Sequence, residues 1–433
     1  MGKWLAGLIA ISVAMWAGSV DWSVLMAADF WAWRKQAVLL SGLVLFSAMA
    51  FSLVLAVRSR WLERQVGGLD RIYRLHKWTG IGCAVLLFLH WGAEKFPKWM
   101  VQAGWLFRPA KKGGGGEPAL LHELAKGIGE WGLYLVAALL LIALLKLVPY
   151  RWFRYVHKVF PLVFIAFVLH GLELMPSAWW SQPAGLWTLA CALAGSVAAL
   201  LSLSGRIGRQ RRHTGQVVAV RHAPAAGMLE VEVDLDSQAF AHAAGQFAFV
   251  TFDPAEGAHP FSIASATRED GRLRFGIKAL GDYTGTLSDR IRPGQPVEVE
   301  GPYGGFDFSG PARQVWVAGG VGITPFLARL EALAREGGSQ GVVDFYYCCR
   351  SREQMWPADL DARCRAAGVN LHLCIAGDGQ RLDATHIASG WRDGERPPVW
   401  FCGPAPFAEQ LQNGLAALGL PPAHFHREFF AMR

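Results

Sequence analysis

Apolar residues come in long, nearly unbroken runs before residue 205 and in short alternating stretches after it. A bilayer-spanning helix needs about 20 consecutive apolar residues. Six runs come close: 4–20, 36–57, 77–95, 128–148, 158–175 and 184–204. They predict a membrane α-helical bundle of six transmembrane helices over 1–204, followed by a basic linker at 205–213. From Gly215 the period changes to two. QVVAV at 216–220, MLEVEVDL at 228–235, FAFVTF at 247–252, LRFGIKAL at 273–280 and PVEVEGPY at 296–303 are short and closely spaced. They predict an antiparallel β-barrel over 214–308. Beyond it, QVWVAGGVGITPFLARLEALARE, VVDFYYCC, NLHLCIA and PVWFCGP alternate strand with helix. That pattern predicts a parallel α/β, Rossmann-like domain over 309–433.

Composition sharpens this division. The net charge is +8, yet its arginines flank the apolar runs: Arg58, Arg60, Arg64, Arg71 and Arg74, then Arg151 and Arg154, then Arg206, Arg209, Arg211 and Arg212. Basic loops held on the cytoplasmic side of a membrane explain this better than nucleic acid does. With Lys3 inside, six crossings return the chain to the cytoplasm at Arg206. The loop 96–127 is then expected outside; it carries Lys98, Arg108, Lys111, Lys112 and Lys126, and GGGG at 113–116 predicts a flexible stretch. The run 4–20 has only Lys3 before it and more spans after it, so it reads as the first helix and not as a signal peptide. Of 19 tryptophans, 15 precede residue 205, and Trp22, Trp31, Trp33, Trp99, Trp179 and Trp180 stand at run ends, where amphipathic rings favour the interface. The seven cysteines show no paired spacing and read as reduced thiols of a cytoplasmic domain.

Four histidines interrupt the apolar text. The third run has His76 and His90, fourteen residues apart; the fifth has His157 and His170, thirteen apart. Polar groups inside a bilayer are costly and usually functional. At about 1.5 Å per residue, each pair is separated by roughly 20 Å along its helix. Two facing helices would thus supply one imidazole each to two levels, an arrangement suited to iron or copper and, in a bundle core, to haem iron with two axial histidines. Thirteen residues do not return to one helix face as fourteen nearly do. Pro161 removes the bond to the carbonyl of His157 and predicts a local distortion that turns both histidines inward.

This arrangement resembles the ferric reductase and NADPH oxidase superfamily, whose signature pairs histidines on the third and fifth helices with these spacings. The resemblance implies two b-type haems, an inner one on His76 and His157 and an outer one on His90 and His170. HPFSIAS at 259–265 resembles the superfamily's flavin motif, which implies FAD against His259, Pro260, Phe261 and Ser262. IKALGDYT at 277–284 resembles the second flavin element, with Lys278 and the Gly281–Thr284 amides and hydroxyls facing the pyrophosphate. GPYGGF at 301–306 resembles the turn that closes the barrel.

AGGVGITPF at 318–326 follows a strand and opens a helix. There glycines let backbone approach a phosphate and the helix N-terminus favours negative charge. It is similar to the superfamily's nicotinamide-nucleotide loop, which implies Gly319, Gly320, Gly322, Thr324 and Pro325 as contacts. FCGP at 401–404 matches the second such loop, with Cys402 beside the nicotinamide and Gly403 and Pro404 behind it. In CRSR at 349–352, Arg350, Ser351 and Arg352 suit a 2′-phosphate, which favours NADPH and leaves NADH possible. In the final HFHREFFAMR, Glu428 and Phe430 match a Glu-x-aromatic that covers the flavin; Phe429 is an alternative ring.

The resemblance implies a multi-pass protein of a bacterial inner membrane, its C-terminal domains cytoplasmic, that passes electrons from NADPH through FAD and the haems to an outer acceptor. Oxidases of the superfamily use an Arg in the second span and a His one turn beyond the outer ligand. Here 36–56 has no charged residue, and Glu94 stands one turn beyond His90. Glu94 and Glu173, with His122, Glu117 and Glu123, read either as solvated interface charges or as a set that attracts a metal cation. The first expectation is therefore a ferric or cupric reductase. A superoxide-producing oxidase, or a donor to a quinone or periplasmic partner, is the alternative.

Overall fold

The computed structural model describes residues 2–107, 119–145, 148, 150–236, 240–281, 283–392 and 394–428. It divides into two compact units: Met1–Val66 with Arg71–Ile207, and Gly67–Asp70 with Gly208–Arg433.

The first unit is helical. Its long elements are α1 (Gly2–Ala17), α2 (Phe30–Ala56), α3 (Leu69–Gln102), α4 (Leu120–Leu145), α5 (Phe160–Leu174) and α6 (Pro183–Leu203). A short helix, Tyr150–His157, leads into α5. Among the described residues four segments are long and apolar enough to cross a membrane: Phe30–Ala56, Leu120–Ala143, Trp152–Leu174 and Pro183–Leu203. Gly2–Ala17 is apolar but shorter. The helix α3 is 34 residues long and carries charges at both ends, Asp70, Arg71 and Arg74 at one and Glu94, Lys95 and Lys98 at the other. Large apolar side chains such as Val85, Phe88, Leu89, Leu141 and Leu193 stand exposed. That is how a helix meets hydrocarbon while its own backbone bonds stay satisfied. Inside, Phe46 of α2 stacks on Phe164 of α5 with centroids 5.2 Å apart.

The expected distortion near Pro161 takes the form of a tightened two-residue turn within the span. The helix stops at His157, residues 158 and 159 form a turn, and α5 starts with Pro161 in its first turn. Proline is tolerated there because its missing N–H has no intrahelical partner to lose.

The second unit is built on two sheets. The first has six strands: β1 (Arg212–Ala223), β2 (Met228–Leu235), β3 (Phe247–Thr251), β4 (His259–Ser262), β5 (Arg272–Lys278) and β6 (Pro296–Tyr303). Their order is β4-β3-β6-β1-β2-β5, all antiparallel. An isolated bridge between Ile263 and Phe275 ties the end of β4 to β5. The buried positions of β2 alternate, with Val231 and Val233 fully inside, as period two requires.

The second sheet has five strands: β7 (Gln314–Gly319), β8 (Val343–Cys349), β9 (Asn370–Ile375), β10 (Val399–Cys402) and β11 (Phe425–Arg427). They run parallel in the order β11-β10-β7-β8-β9. Trp316, Phe326, Phe345 and Trp400 are almost wholly buried between sheet and helix, and each such ring contributes about 1.5–3 kcal/mol. Gly276 of β5 lets the two sheets approach: a Cβ there would lie 2.6 Å from Thr324 Cγ2 and 2.8 Å from Trp356.

Candidate functional site

Two groups of expected residues are brought together, one in each unit. In the helical unit, the His76 and His157 rings lie 5.9 Å apart, centroid to centroid. His90 and His170 form a second level and interact electrostatically. The chain holds these rings by one nitrogen. His76 Nδ1 lies 3.0 Å from the Ser52 carbonyl and 3.1 Å from Ser52 Oγ. His170 Nδ1 lies 2.8 Å from the Ala125 carbonyl. His90 Nδ1 lies 3.1 Å from Ser41 Oγ, whose own proton goes to the Ala37 carbonyl at 2.7 Å. Carbonyl partners only accept, so Nδ1 carries the proton and Nε2 keeps its lone pair. That is the second-shell arrangement of a metal-ligating imidazole. His157 Nδ1 has no hydrogen-bond partner among the described residues.

Glycines make room for the second level. A Cβ on Gly129 would sit 2.3 Å from His170 Cε1, and one on Gly42 would sit 3.0 Å from His90 Cε1. The donor set fits a haem at each level, and at the second level the held tautomers and the glycine cradle add to that fit. Neither the serines nor the glycines figured in the sequence reading. The eleven-residue spacing of Ser41 and Ser52, close to three turns, was the available signal.

The acidic cluster is corrected by its partners. The helix α2 begins at Phe30, capped by the Asp29 side chain on Ala32 N at 3.0 Å, so the second span's helix does contain Arg34. Arg34 is ion-paired with Glu94, and so is Lys98. Glu130 is paired with Lys95 at 2.5 Å, Glu173 with His122 at 3.5 Å and Glu123 with Lys126 at 2.9 Å. Glu94 is therefore neutralised twice. Among the described residues no three His, Cys, Asp or Glu side chains converge as a metal site. Glu117, Arg108, Lys111, Lys112 and the GGGG stretch lie outside the described residues, as does the side chain of Arg151.

In the second unit the glycine loops meet at the C-terminal edge of the parallel sheet, where open α/β sheets take their ligands. Ala318 of β7 and Cys402 of β10 are paired, so the loops that follow interlock. A Cβ on Gly322 would lie 2.1 Å from the Cys402 carbonyl, and one on Gly319 would lie 2.9 Å from Pro404. Gly403 packs against Gly319 in return. Gly320 turns with φ +57°. Thr324 and Pro325 start the next helix and are buried. The CRSR segment follows β8 at the same edge. Arg352 pairs with Asp378 at 3.5 Å, and Ser351 bonds the Glu353 side chain, so both already have partners.

On the antiparallel sheet, β4 presents His259, Pro260, Phe261 and buried Ser262 beside β3. The His259 ring stacks on Tyr283 at 4.3 Å. Lys278 Nζ stands 3.4 Å from where a Cβ of Gly320 would be, against the loop after β7. The amides of Leu280 and Gly281 bond Thr284 Oγ1 at 3.1 and 3.2 Å, so those two are spent within the turn and do not face outward.

Glu428 follows β11, whose Arg427 pairs with Phe401, and this sets Glu428 beside Cys402. Both are buried, and among the described residues neither Glu428 oxygen has a hydrogen-bond partner. Burial pushes the Glu428 carboxyl well above the usual carboxylate range. Burial, with the neighbouring Glu428, pushes the Cys402 thiol up. A Cβ on Gly304, in the turn after β6, would lie 3.2 Å from Glu428 Oε1. Phe429 and Phe430 lie outside the described residues.

Residues 41–168 match the ferric reductase-like transmembrane component, and residues 214–306 match an FAD-binding domain. The chain belongs to the ferric reductase and NADPH oxidase superfamily. Within that superfamily it is similar to respiratory burst oxidase homolog protein D of Arabidopsis thaliana, 27% identical over 60% of this chain and 33% of the relative. It is also similar to reductase components. One is the toluate 1,2-dioxygenase electron transfer component of Pseudomonas putida, 26% identical over 43% of this chain and 58% of the relative. Another is the ferredoxin–NAD(+) reductase component of the alkene monooxygenase system of Xanthobacter autotrophicus, 29% identical over 39% of this chain and 54% of the relative. The chain thus spans little more than half the length of these reductase relatives. As a superfamily member it joins membrane helices to an oxidoreductase module with an FAD-binding domain and a nicotinamide-nucleotide fold.

Proposed function

We propose that this protein carries electrons from NADPH, with NADH as a weaker substitute, through FAD and two b-type haems to an acceptor across the membrane. The observation that supports this most directly is the pair of histidine levels, with three of the four Nδ1 atoms turned to protein acceptors. When bound, FAD accepts two electrons and releases them singly, and each haem takes one.

In this reading the six apolar runs cross a bacterial inner membrane and the first sheet of the soluble half closes as a barrel on the cytoplasmic side. The β4 residues His259–Ser262, with Thr284, hold FAD. Gly319–Pro325, Arg350 and Gly403–Pro404 hold the nucleotide, and Lys278 reaches its pyrophosphate from the flavin side. Cys402 and protonated Glu428 shape the slot where nicotinamide meets flavin. Phe430, or Phe429, is the covering ring. Nε2 of His76 and His157 ligates the inner haem; Nε2 of His90 and His170 ligates the outer one.

The acceptor in the first reading is a ferric or cupric chelate. Glu94, Glu130, Glu173 and Glu123 are each already paired within the protein, which suits a chelate, with its metal already ligated, better than a bare cation. Arg34 on the second-span helix also favours a second reading, reduction of oxygen to superoxide.

The test is NADPH consumption by haem- and FAD-loaded protein in detergent. Ferric chelate sustaining turnover without oxygen supports the first reading. Turnover that requires oxygen and yields superoxide supports the second. Haems that reduce and stay reduced with both acceptors overturn both and point to a partner protein. Failure of NADPH to reduce flavin overturns the whole proposal.

A further inference from the structure

Three of the five cysteines in the soluble half meet at one end of the parallel sheet. The strands β8 and β9 run in register, with Cys348 the Cα partner of Cys374 and Cys349 that of Ile375. Neighbouring strands lie about 4.8 Å apart, within the roughly 4.4–6.8 Å Cα separation that a disulfide spans. In-register residues of parallel strands point to the same face, and the two thiols share a hydrogen bond. Successive side chains alternate faces, so Cys349 points away from this pair. The shared bond also holds the Cys374 thiol below its usual range, and the thiolate is the reactive form.

The pair lies directly beneath the nucleotide loops. Gly319, the first glycine of the β7 loop, is the Cα partner of Cys348. The loop after β9 is tied to the loop after β8 by Gly377 N on the Arg350 carbonyl at 2.9 Å and by Asp378 on Arg352 at 3.5 Å. We infer that Cys348 and Cys374 form a dithiol–disulfide couple, oxidised by hydroperoxide, that sets the affinity of the nucleotide edge. The effect on affinity rests on the nucleotide-binding reading of that edge.

The chemistry balances. The Cys374 thiolate attacks one peroxide oxygen, the O–O bond breaks, and water leaves as a sulfenic acid forms. The Cys348 thiol attacks that sulfur, the S–S bond forms and a second water leaves. Two thiols lose two electrons and two protons, and the peroxide gains both. Disulfides of reducing compartments are typically transient and redox-sensing. An S–S bond of about 2.05 Å is far shorter than a hydrogen-bonded thiol pair. Closure therefore draws the ends of β8 and β9 together and moves Arg350 and Arg352. Cys402 and Glu428 lie beyond β7 on the other side of the sheet, so the hydride-transfer side is left in place.

The experiment titrates the full-length, cofactor-loaded protein with hydrogen peroxide, alkylates free thiols, and maps peptides while recording NADPH kinetics. Cys348 and Cys374 are expected to lose alkylation together, appear in one cross-linked peptide and recover with dithiothreitol. The KM for NADPH should rise about fivefold, the low end of couplings between distinct sites, with kcat held. Cys348→Ser should abolish both changes; Cys349→Ser should leave both. A link through Cys349, no link, or a complete link without a KM change overturns the inference. The cross-link map needs no activity: a reduced protein that oxidises no nucleotide yet still forms this link sinks the electron-transfer reading and the effect on KM, but not the thiol couple.

Discussion

The His170 ring lies over Gly129 so closely that a single added methyl group would stand 2.3 Å from its Cε1. Gly129→Ala is therefore expected to displace the ring. Overpacking of this kind costs about 1–3 kcal/mol, and the haem of that level should be lost with it. Gly7→Ala, on a helix that carries none of the four histidines, is the control, because nothing lies within 4 Å of its Cβ position; alanine there favours the helix by about 1 kcal/mol. Haem content and thermal unfolding in detergent check both, and retention of both haems by Gly129→Ala would refute the cradle.

The histidine pairing predicts shared phenotypes. His76→Ala and His157→Ala should each lose the same one of two haem signals, and His90→Ala and His170→Ala the other. Absorbance redox titration separates the two. Four independent partial losses would show that the pairs are drawn wrongly.

Glu428 predicts a pH dependence of stability. Its carboxyl is raised by burial, so the folded protein keeps a proton that the unfolded chain releases above about pH 4.3. The unfolded state then binds fewer protons, and stability falls as pH rises toward the folded value, by at most about 1.4 kcal/mol per pH unit. Glu428→Gln removes this penalty. Relative to the variant, the wild type should be less stable at pH 8 than at pH 5, while the variant loses turnover. Thermal unfolding at the two pH values decides; an equal gap at both would place an ionised carboxylate in the folded protein.

Nucleotide preference predicts an asymmetry between two arginines. Arg352 is already engaged by Asp378, whereas Arg350 makes no ion pair among the described residues. A hydrogen bond to a charged group contributes about 1.5–3 kcal/mol. Arg350→Ala should thus raise the KM for NADPH about tenfold or more with little change for NADH, and Arg352→Ala should do less. Equal losses for both nucleotides would mean that Arg350 does not read the 2′-phosphate.

What the sequence disclosed and what it withheld follow from the range of the forces involved. The histidine spacing and Pro161 were legible because helix geometry acts locally, and the strands of both sheets show their period directly. Arg34 was missed because an apolar window ends where charge begins, while the helix runs six residues further to its Asp29 cap. The pairing of Glu94 with Arg34 joins residues 60 positions apart, and local pattern carries no trace of it. Glu428 was recognisable as a motif, but its burial brings it against the Gly304 turn, which no reading of the terminal segment contains.

The turn at residues 158 and 159 gives the two histidine-bearing helices different tolerance for change in length. In the continuous helix α3, one inserted residue between His76 and His90 would rotate everything beyond it by about 100° and turn one imidazole out of the bundle. An insertion in the two-residue turn after His157 can be taken up as a longer loop, leaving His157 on its own short helix and His170 on α5. Over evolutionary time the spacing of fourteen should therefore be the rigid one. The spacing of thirteen is where lineages can adjust the height between the two levels.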